Sequence, residues 1–254
     1  MKEKLKNISA LKYLVVTARA FRIKPGFVTR IKQLSSYFKD WHSYRKLEHN
    51  TAYKISVADL FPRIQDKTGS HEIDPVYFIQ GCWCAKKVFE AKPKKHVDIA
   101  SQALMVGIIS QFTPTTMVDI RPLTISLPGL SFVQGDITKL PIKDGEIESL
   151  SSICVIEHIG LGRYGDPLDQ FGTEKAAKEL KRVLATNGSL YISVPIDAEN
   201  KTYFNAHRAF TRNRVLELFK DMKLVEEKYI YGRNLESSYD PKKGFGTGLY
   251  YFKK

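Results

Sequence analysis

A chain of 254 residues, 43% hydrophobic and 11% aromatic, is long enough to bury one sizeable core and too apolar to be disordered. Its formal charge of +13 is unevenly spread: residues 1–50 hold twelve Lys/Arg against three Asp/Glu, so the excess belongs mostly to an N-terminal segment. Three cysteines (Cys82, Cys84 and Cys154) exclude a disulfide framework, and the Cys82–Cys84 spacing suits neither an ordinary bridge nor a zinc knuckle, which points to a reduced, cytoplasmic, metal-free protein.

Residues 1–50 read as basic helices. Leu11, Leu14, Val15, Ala18 and Phe21 share one helical face, with Lys12 and Arg19 off it. The apolar core of "ISALKYLVVTARAF" falls well short of the ~20 residues that span a bilayer, and no small-residue cleavage site follows it. After Pro25-Gly26 a second stripe runs through Phe27, Ile31, Leu34, Phe38 and Trp41. Two readings stand: the stripes pack on the main domain, or the basic face lies on an anionic membrane surface, peripheral to its inner side. Nucleic acid is the weaker partner, since no binding motif accompanies the charge.

Residues 51–73 are turn-rich, and a boundary is expected after residue 72, leaving a main domain at 73–254. "DPVYFIQGCWCAKKVFEA" predicts a helix with Asp74 as N-cap, Pro75 at the first helical position and a stop near Pro93. Its aromatic residues Tyr77, Phe78, Trp83 and Phe89 read as core packing. Beyond Pro93 strand and helix patterns alternate. "HVDIA", "TMVDIRPL", "LSFVQGD", "IESLSSICVI" and "SLYISVP" are strands; "ALMVGIISQF", "GTEKAAKELKRVL" (ending at "TNG") and "TRNRVLELFKDM" are helices. That alternation predicts a parallel sheet covered on both faces. The runs "KLVEEKYIYGR" and "GTGLYYFKK" have no helix between them and predict an antiparallel hairpin at or near the sheet edge, with "GFGTG" a turn.

Ligands of open parallel sheets bind beyond the carboxyl ends of the strands. Those ends carry Asp98, Ala100 and Ser101, then Asp119, then Gly135 and Asp136, then Glu157 and His158. Asp98 and Asp119 lie 21 residues apart, which suits an acid at the second strand end that accepts the hydroxyls of a ribose. A pyrophosphate needs glycines close to its backbone cradle, yet "DIASQALMVG" has none before Gly107. A nucleoside cofactor without phosphates, S-adenosylmethionine, is favoured over a dinucleotide.

From about residue 73 onward the chain resembles a Rossmann-like, class I S-adenosylmethionine-dependent methyltransferase. More closely, "HVDIAS", "VDIRPL", "GDITKLP", "VIEHIGLGRYGDP", "KAAKELKRVL", "SVP" and "FNAHRAF" resemble the domain of unknown function DUF268. The resemblance implies a mostly parallel seven-stranded sheet with the C-terminal antiparallel pair. It implies a donor site in which Asp98, Ala100 and Ser101 surround the methionine moiety, Asp119 and Ile120 hold the ribose, Asp136 and Ile137 hold the adenine, and Ser152, Ile153 and Cys154 pass under the sulfonium. By analogy it implies a small-molecule or glycan acceptor, lipid-linked or free, in surface-polysaccharide biosynthesis. Ala100 stands where such enzymes usually have glycine, which leaves open a scaffold that has lost its donor. The basic N-terminus leaves open an RNA methyltransferase.

On this reading "EHIGLGRYGDP" faces the methyl group. His158 is the first candidate for the base that takes a hydroxyl proton, because an unperturbed imidazole titrates near neutral pH. Glu157 orients it, and His207 is the rival base unless it caps the helix near Thr211. Arg163, Tyr164 and Asp166 are candidates for acceptor recognition, with an Arg163–Asp166 bridge as the alternative. Asn205 and Arg208 join them from "FNAHRAF", Arg208 for an anionic group. Cys154 reads as a small buried hydrophobe.

Overall fold

The structure, a computed structural model, describes residues 27–47, 50–54 and 56–254. The stripe from Leu11 to Phe21 lies outside the described residues. The chain divides into two units, Met1–Glu72 and Ile73–Lys254.

The first unit contributes α1 (Phe27–Tyr44) and a single 3-10 turn at Val57–Asp59, capped by Ser56. On α1 the predicted stripe is present, but Ile31, Leu34 and Phe38 are exposed. No described helix is long and apolar enough to cross a membrane.

The second unit opens with α2 (Pro75–Ala91). Asp74 accepts from the amides of Val76 and Tyr77, and Lys92 closes the helix in a left-handed conformation. There follow β1 (His96–Ile99), α3 (Ala103–Ile109), β2 (Thr115–Asp119), β3 (Leu130–Gln134), β4 (Ile147–Ile153), α4 (Gly172–Val183) and β5 (Leu184–Ile196). After β5 come the short strands β6 (Lys201–Tyr203) and β7 (His207–Ala209), then α5 (Arg212–Leu218), β8 (Lys223–Tyr231), β9 (Asn234–Glu236) and β10 (Gly246–Lys253).

The main sheet has the order β3-β2-β1-β4-β5-β10-β8-β9. Its first five members run parallel, and β10 is antiparallel to both β5 and β8. β1 and β2 are buried at every position, as strands covered on both faces must be. On one face α4 packs Ala176, Ala177 and Leu180, and α5 packs Val215 and Leu218. On the other, α2 brings Trp83, Cys84 and Val88 against Met105, Val106 and Ile109 of α3.

Three expectations need revision. β8 and β10 pair antiparallel near the sheet edge as expected, but β10 lies between β5 and β8 and the short β9 takes the edge, making eight strands where seven were expected. The segment "TNG" does not end α4; β5 already begins at Leu184 and carries a register shift there, with Asn187 at a φ of +62°. Of the aromatic residues of α2 only Trp83 is buried, while Tyr77, Phe78 and Phe89 are 46%, 57% and 58% exposed. The buried stripe is Gln80, Trp83, Cys84 and Val88; helical spacing turns Phe78 and Phe89 away from it, while Tyr77 shares its face and is exposed at the first turn, where it lines a hollow.

Candidate functional site

The floor of the site is the turn from β1 into α3. Asp98 is fully buried, and its carboxylate accepts from the Ser101 amide at 2.9 Å, the Ser101 hydroxyl at 2.7 Å and the Ser151 hydroxyl. Burial pushes its carboxyl up to about 6 despite those bonds. Ser101 Oγ also accepts from the Ile153 amide at 2.9 Å, tying the turn to the end of β4. Asp98 therefore shapes the turn from behind and does not line the cleft, whereas Ala100 does and Ser101 lines the hollow beside it. Ala100 takes a φ of +56°, a left-handed backbone that glycine adopts without strain and alanine does not.

Above this turn lies a cleft of about 830 Å³. Asp119, at the end of β2, accepts from the Arg121 amide at 2.8 Å and lies 3.3 Å from Arg121 Nη2. Asp136 accepts from the Thr138 amide and hydroxyl through one oxygen, Oδ1, at 2.7 and 2.8 Å. Ile120 and the buried Ile137 supply apolar walls. Charged groups on the lining are mostly acids: Asp119, Asp136, Asp166 and Asp169 against Arg121. A second hollow of about 930 Å³ shares Ala100, Asp119, Arg121, Cys154 and Tyr164 with the first and adds Ser101, Ile153 and Tyr77.

The pair after β4 divides its work. His158 lines the cleft, while Glu157 is only 1% exposed and does not. His158 Nδ1 lies 2.6 Å from the carbonyl of Ala206, an acceptor only, so Nδ1 carries the hydrogen and Nε2 keeps its lone pair. Burial lowers the His158 imidazole to about 4, so it is neutral at pH 7, not poised near neutrality as expected. Glu157 Oε1 lies 3.6 Å from His158 Nε2, its Oε2 has no partner, and burial pushes the carboxyl up to about 8. His207 sits in β7 between the rings of Tyr203 and Phe245, at 5.1 and 5.5 Å, outside the cleft. It is not a helix cap either, since Thr211 caps α5.

The loop after His158 is held from within. Asp166 accepts from the amides of Gly160, Gly162 and Tyr164 at 2.7, 3.3 and 3.2 Å, so its carboxylate folds the loop and is not bridged to Arg163. Gly160 has a φ of +82°, and a Cβ there would strike the backbone of Asp169. Arg163 donates to the Ala206 carbonyl at 2.8 Å. Tyr164 presents its edge to His158 at 5.5 Å and carries the guanidinium groups of Arg121 and Arg163 over its ring at 4.5 and 5.1 Å. Arg208 points inward, donating to the carbonyls of Ile159, Asp169 and Gln170 and to the Thr173 hydroxyl, and so is no free anion receptor. Asn205 is exposed in the β6–β7 turn. "FNAHRAF" thus reaches His158 through the backbone carbonyl of Ala206, with no side chain of that run on the cleft wall.

Sequence reasoning missed Arg121, Thr138, Tyr77 and Gln80. Arg121 had a local signal, two residues beyond the strand-end acid Asp119. Gln80 had none: its Oε1 accepts from Ser193 Oγ at 2.9 Å and Cys154 Sγ at 3.1 Å, contacts set only by packing α2 on the sheet. Burial raises the Cys154 thiol, but the residue is half-buried and lines both hollows, not the buried hydrophobe expected.

Solved structures share this fold at low identity. The cyclase SpnF superposes with a TM-score of 0.56 at 10% identity, covering 74% of this chain and 85% of that one. The N-methyltransferase NodS from Bradyrhizobium japonicum WM9, solved with S-adenosyl-L-homocysteine, gives 0.51 at 13% identity, covering 72% and 89%. No curated protein matches the sequence. The fold is the Rossmann-like methyltransferase fold. Within it, residues 143–240 match the family described as Caenorhabditis protein of unknown function, DUF268. The matched segment holds "VIEHIGLGRYGDP", "KAAKELKRVL", "SVP" and "FNAHRAF"; the strand-end acids Asp98, Asp119 and Asp136 precede it.

Proposed function

We propose that the protein is an S-adenosylmethionine-dependent methyltransferase acting on a hydroxyl of a small or glycan-type acceptor. The observation that carries this reading is an acidic cleft in a basic protein. Four carboxylates line it, and a fifth, Asp98, lies buried behind the turn where a dinucleotide would place its pyrophosphate. The Ser101 amide in that turn is already bonded to Asp98, so it does not serve a phosphate. The donor set fits a cationic nucleoside and repels a polyanion.

Asp119 would hold the ribose, Asp136 with Ile120 and Ile137 the adenine, and Ala100, Ser101 and Ile153 the methionine part. Bound there, the cofactor supplies a methyl group on a positive sulfonium. The chain itself aligns the acceptor and manages the proton. His158 Nε2 accepts the hydroxyl proton, and an ionised Glu157 steadies the resulting imidazolium. Tyr164 and Arg163 present a flat, hydrogen-bonding wall to a sugar.

Calorimetric titration of the full chain with S-adenosylmethionine and S-adenosylhomocysteine, beside Asp119→Ala, tests the reading. Binding that the substitution abolishes supports it and opens an acceptor screen among nucleotide sugars and lipid-linked glycans. A folded protein that binds neither compound would leave the scaffold reading, which the left-handed Ala100 favours.

A further inference from the structure

The exposed rings of α2 frame a third hollow. It is an open groove between α2 and α3, about 980 Å³ including the solvent-facing side, lined by Ile73, Phe78, Ala85, Leu104, Met105 and Ile108, with Gly81 among them. Phe78, Leu104 and Ile108 are 57%, 70% and 55% exposed, more apolar surface than a solvated helix pair needs. Gly81 keeps the groove open: a Cβ there would meet the Met105 side chain at 3.7 Å, so any longer side chain would fill the space.

The groove does not end blindly. Tyr77 and Gln102 line both it and the second hollow, and that hollow shares Ala100, Asp119, Arg121, Cys154 and Tyr164 with the donor cleft. An apolar trough therefore leads, by way of the Tyr77 ring, to the place where the methyl group would be transferred. A surface patch for another protein or a membrane has no need of that connection.

We propose that the groove holds the hydrocarbon chain of an amphiphilic acceptor, whose hydroxylated head lies at His158 and Tyr164. This inference rests on the methyl-transfer reading for the word acceptor. The site is new to that reading, and it narrows the substrate class from a free sugar to a lipid-type glycoside. Its polar head would be turned by Tyr77 and Gln102 toward the cleft, and its chain would follow Phe78, Leu104 and Ile108.

The test uses hexyl, octyl and decyl β-D-glucosides as monomers, titrated into the full chain with S-adenosylhomocysteine present. Burying methylenes should tighten binding about two- to fourfold for each one added. Gly81→Leu, which fills the groove and favours the helix, and Ile108→Glu, at an exposed position, should each flatten that dependence and leave S-adenosylhomocysteine binding unchanged. Equal affinity for the three glucosides, or a dependence that survives both variants, would overturn the proposal. So would a dimer that Ile108→Glu dissociates, or binding to anionic vesicles lost in Ile108→Glu without any binding of monomeric glucoside. Chain-length dependence without S-adenosylhomocysteine binding would keep the groove as a chain site and overturn the methyl-transfer reading instead.

Discussion

Glu157→Gln should make the protein increasingly more stable than wild type as pH rises. The Glu157 carboxyl is 1% exposed with an unpartnered Oε2, and burial moves it from 4.5 to about 8. Between those values the unfolded chain releases a proton that the folded chain keeps, so wild-type stability falls as pH climbs through this window. Linkage puts that loss at about 1 kcal/mol at pH 5 and about 3–4 kcal/mol between pH 7 and pH 8. Glutamine has the same shape and no such proton, and its amide can donate to His158 Nε2. Any constant effect of the substitution cancels when the two proteins are compared across pH. Guanidinium unfolding of both at pH 5, 6, 7 and 8 should therefore show a stability gap that widens by about 2 kcal/mol or more. A gap that stays flat would mean that Glu157 is ionised in the fold, and the account of the Glu157–His158 pair would fail with it.

Methyl transfer to a hydroxyl acceptor should rise with pH through about 8, as Glu157 ionises and can steady a protonated His158. In a pH–rate profile Glu157→Gln should lack that rise, and His158→Ala should lower kcat about 10²–10⁴-fold with S-adenosylhomocysteine affinity kept. Ala100→Gly should stabilise by roughly 1 kcal/mol, read by thermal unfolding, because the φ of +56° no longer burdens a Cβ. A loss of stability there would contradict the left-handed turn. Arg208→Ala should cost about 2–3 kcal/mol and speed proteolysis within residues 159–170, since the carbonyls and hydroxyl it satisfies lose their partner. Unchanged loop protection would count against its inward role.

The alternating layers after Pro93 were legible because β1 and β2 are unbroken buried runs and α4 carries a clean apolar stripe. What periodicity does not encode is strand order, so the placement of β10 beside β5 had no local sign. β6 and β7 are three residues each and buried only at Ala209, too short to carry an alternating pattern. In the site, the acids could be placed at strand ends from sequence, but their aim could not. Asp98 turns inward because Ser101 and Ser151 offer it three donors, and Arg208 turns inward because a ring of carbonyls awaits it. The rings of α2 misled for a related reason: the helix had two apolar faces, and only the one bearing Trp83 met the sheet.

The position of β10 also fixes an order of events during synthesis. β5 and β8 leave the ribosome before the strand that joins them, so each waits with one row of backbone donors and acceptors unpaired. β10 pairs along its whole length with β5, from Gly246–Ile196 to Lys253–Ser189, across roughly fifty intervening residues. A nascent chain halted before Gly246 would hold the cleft-bearing strands β1–β5 and yet present two open sheet edges. Until β10 emerges, those two edges are open to pairing with another chain.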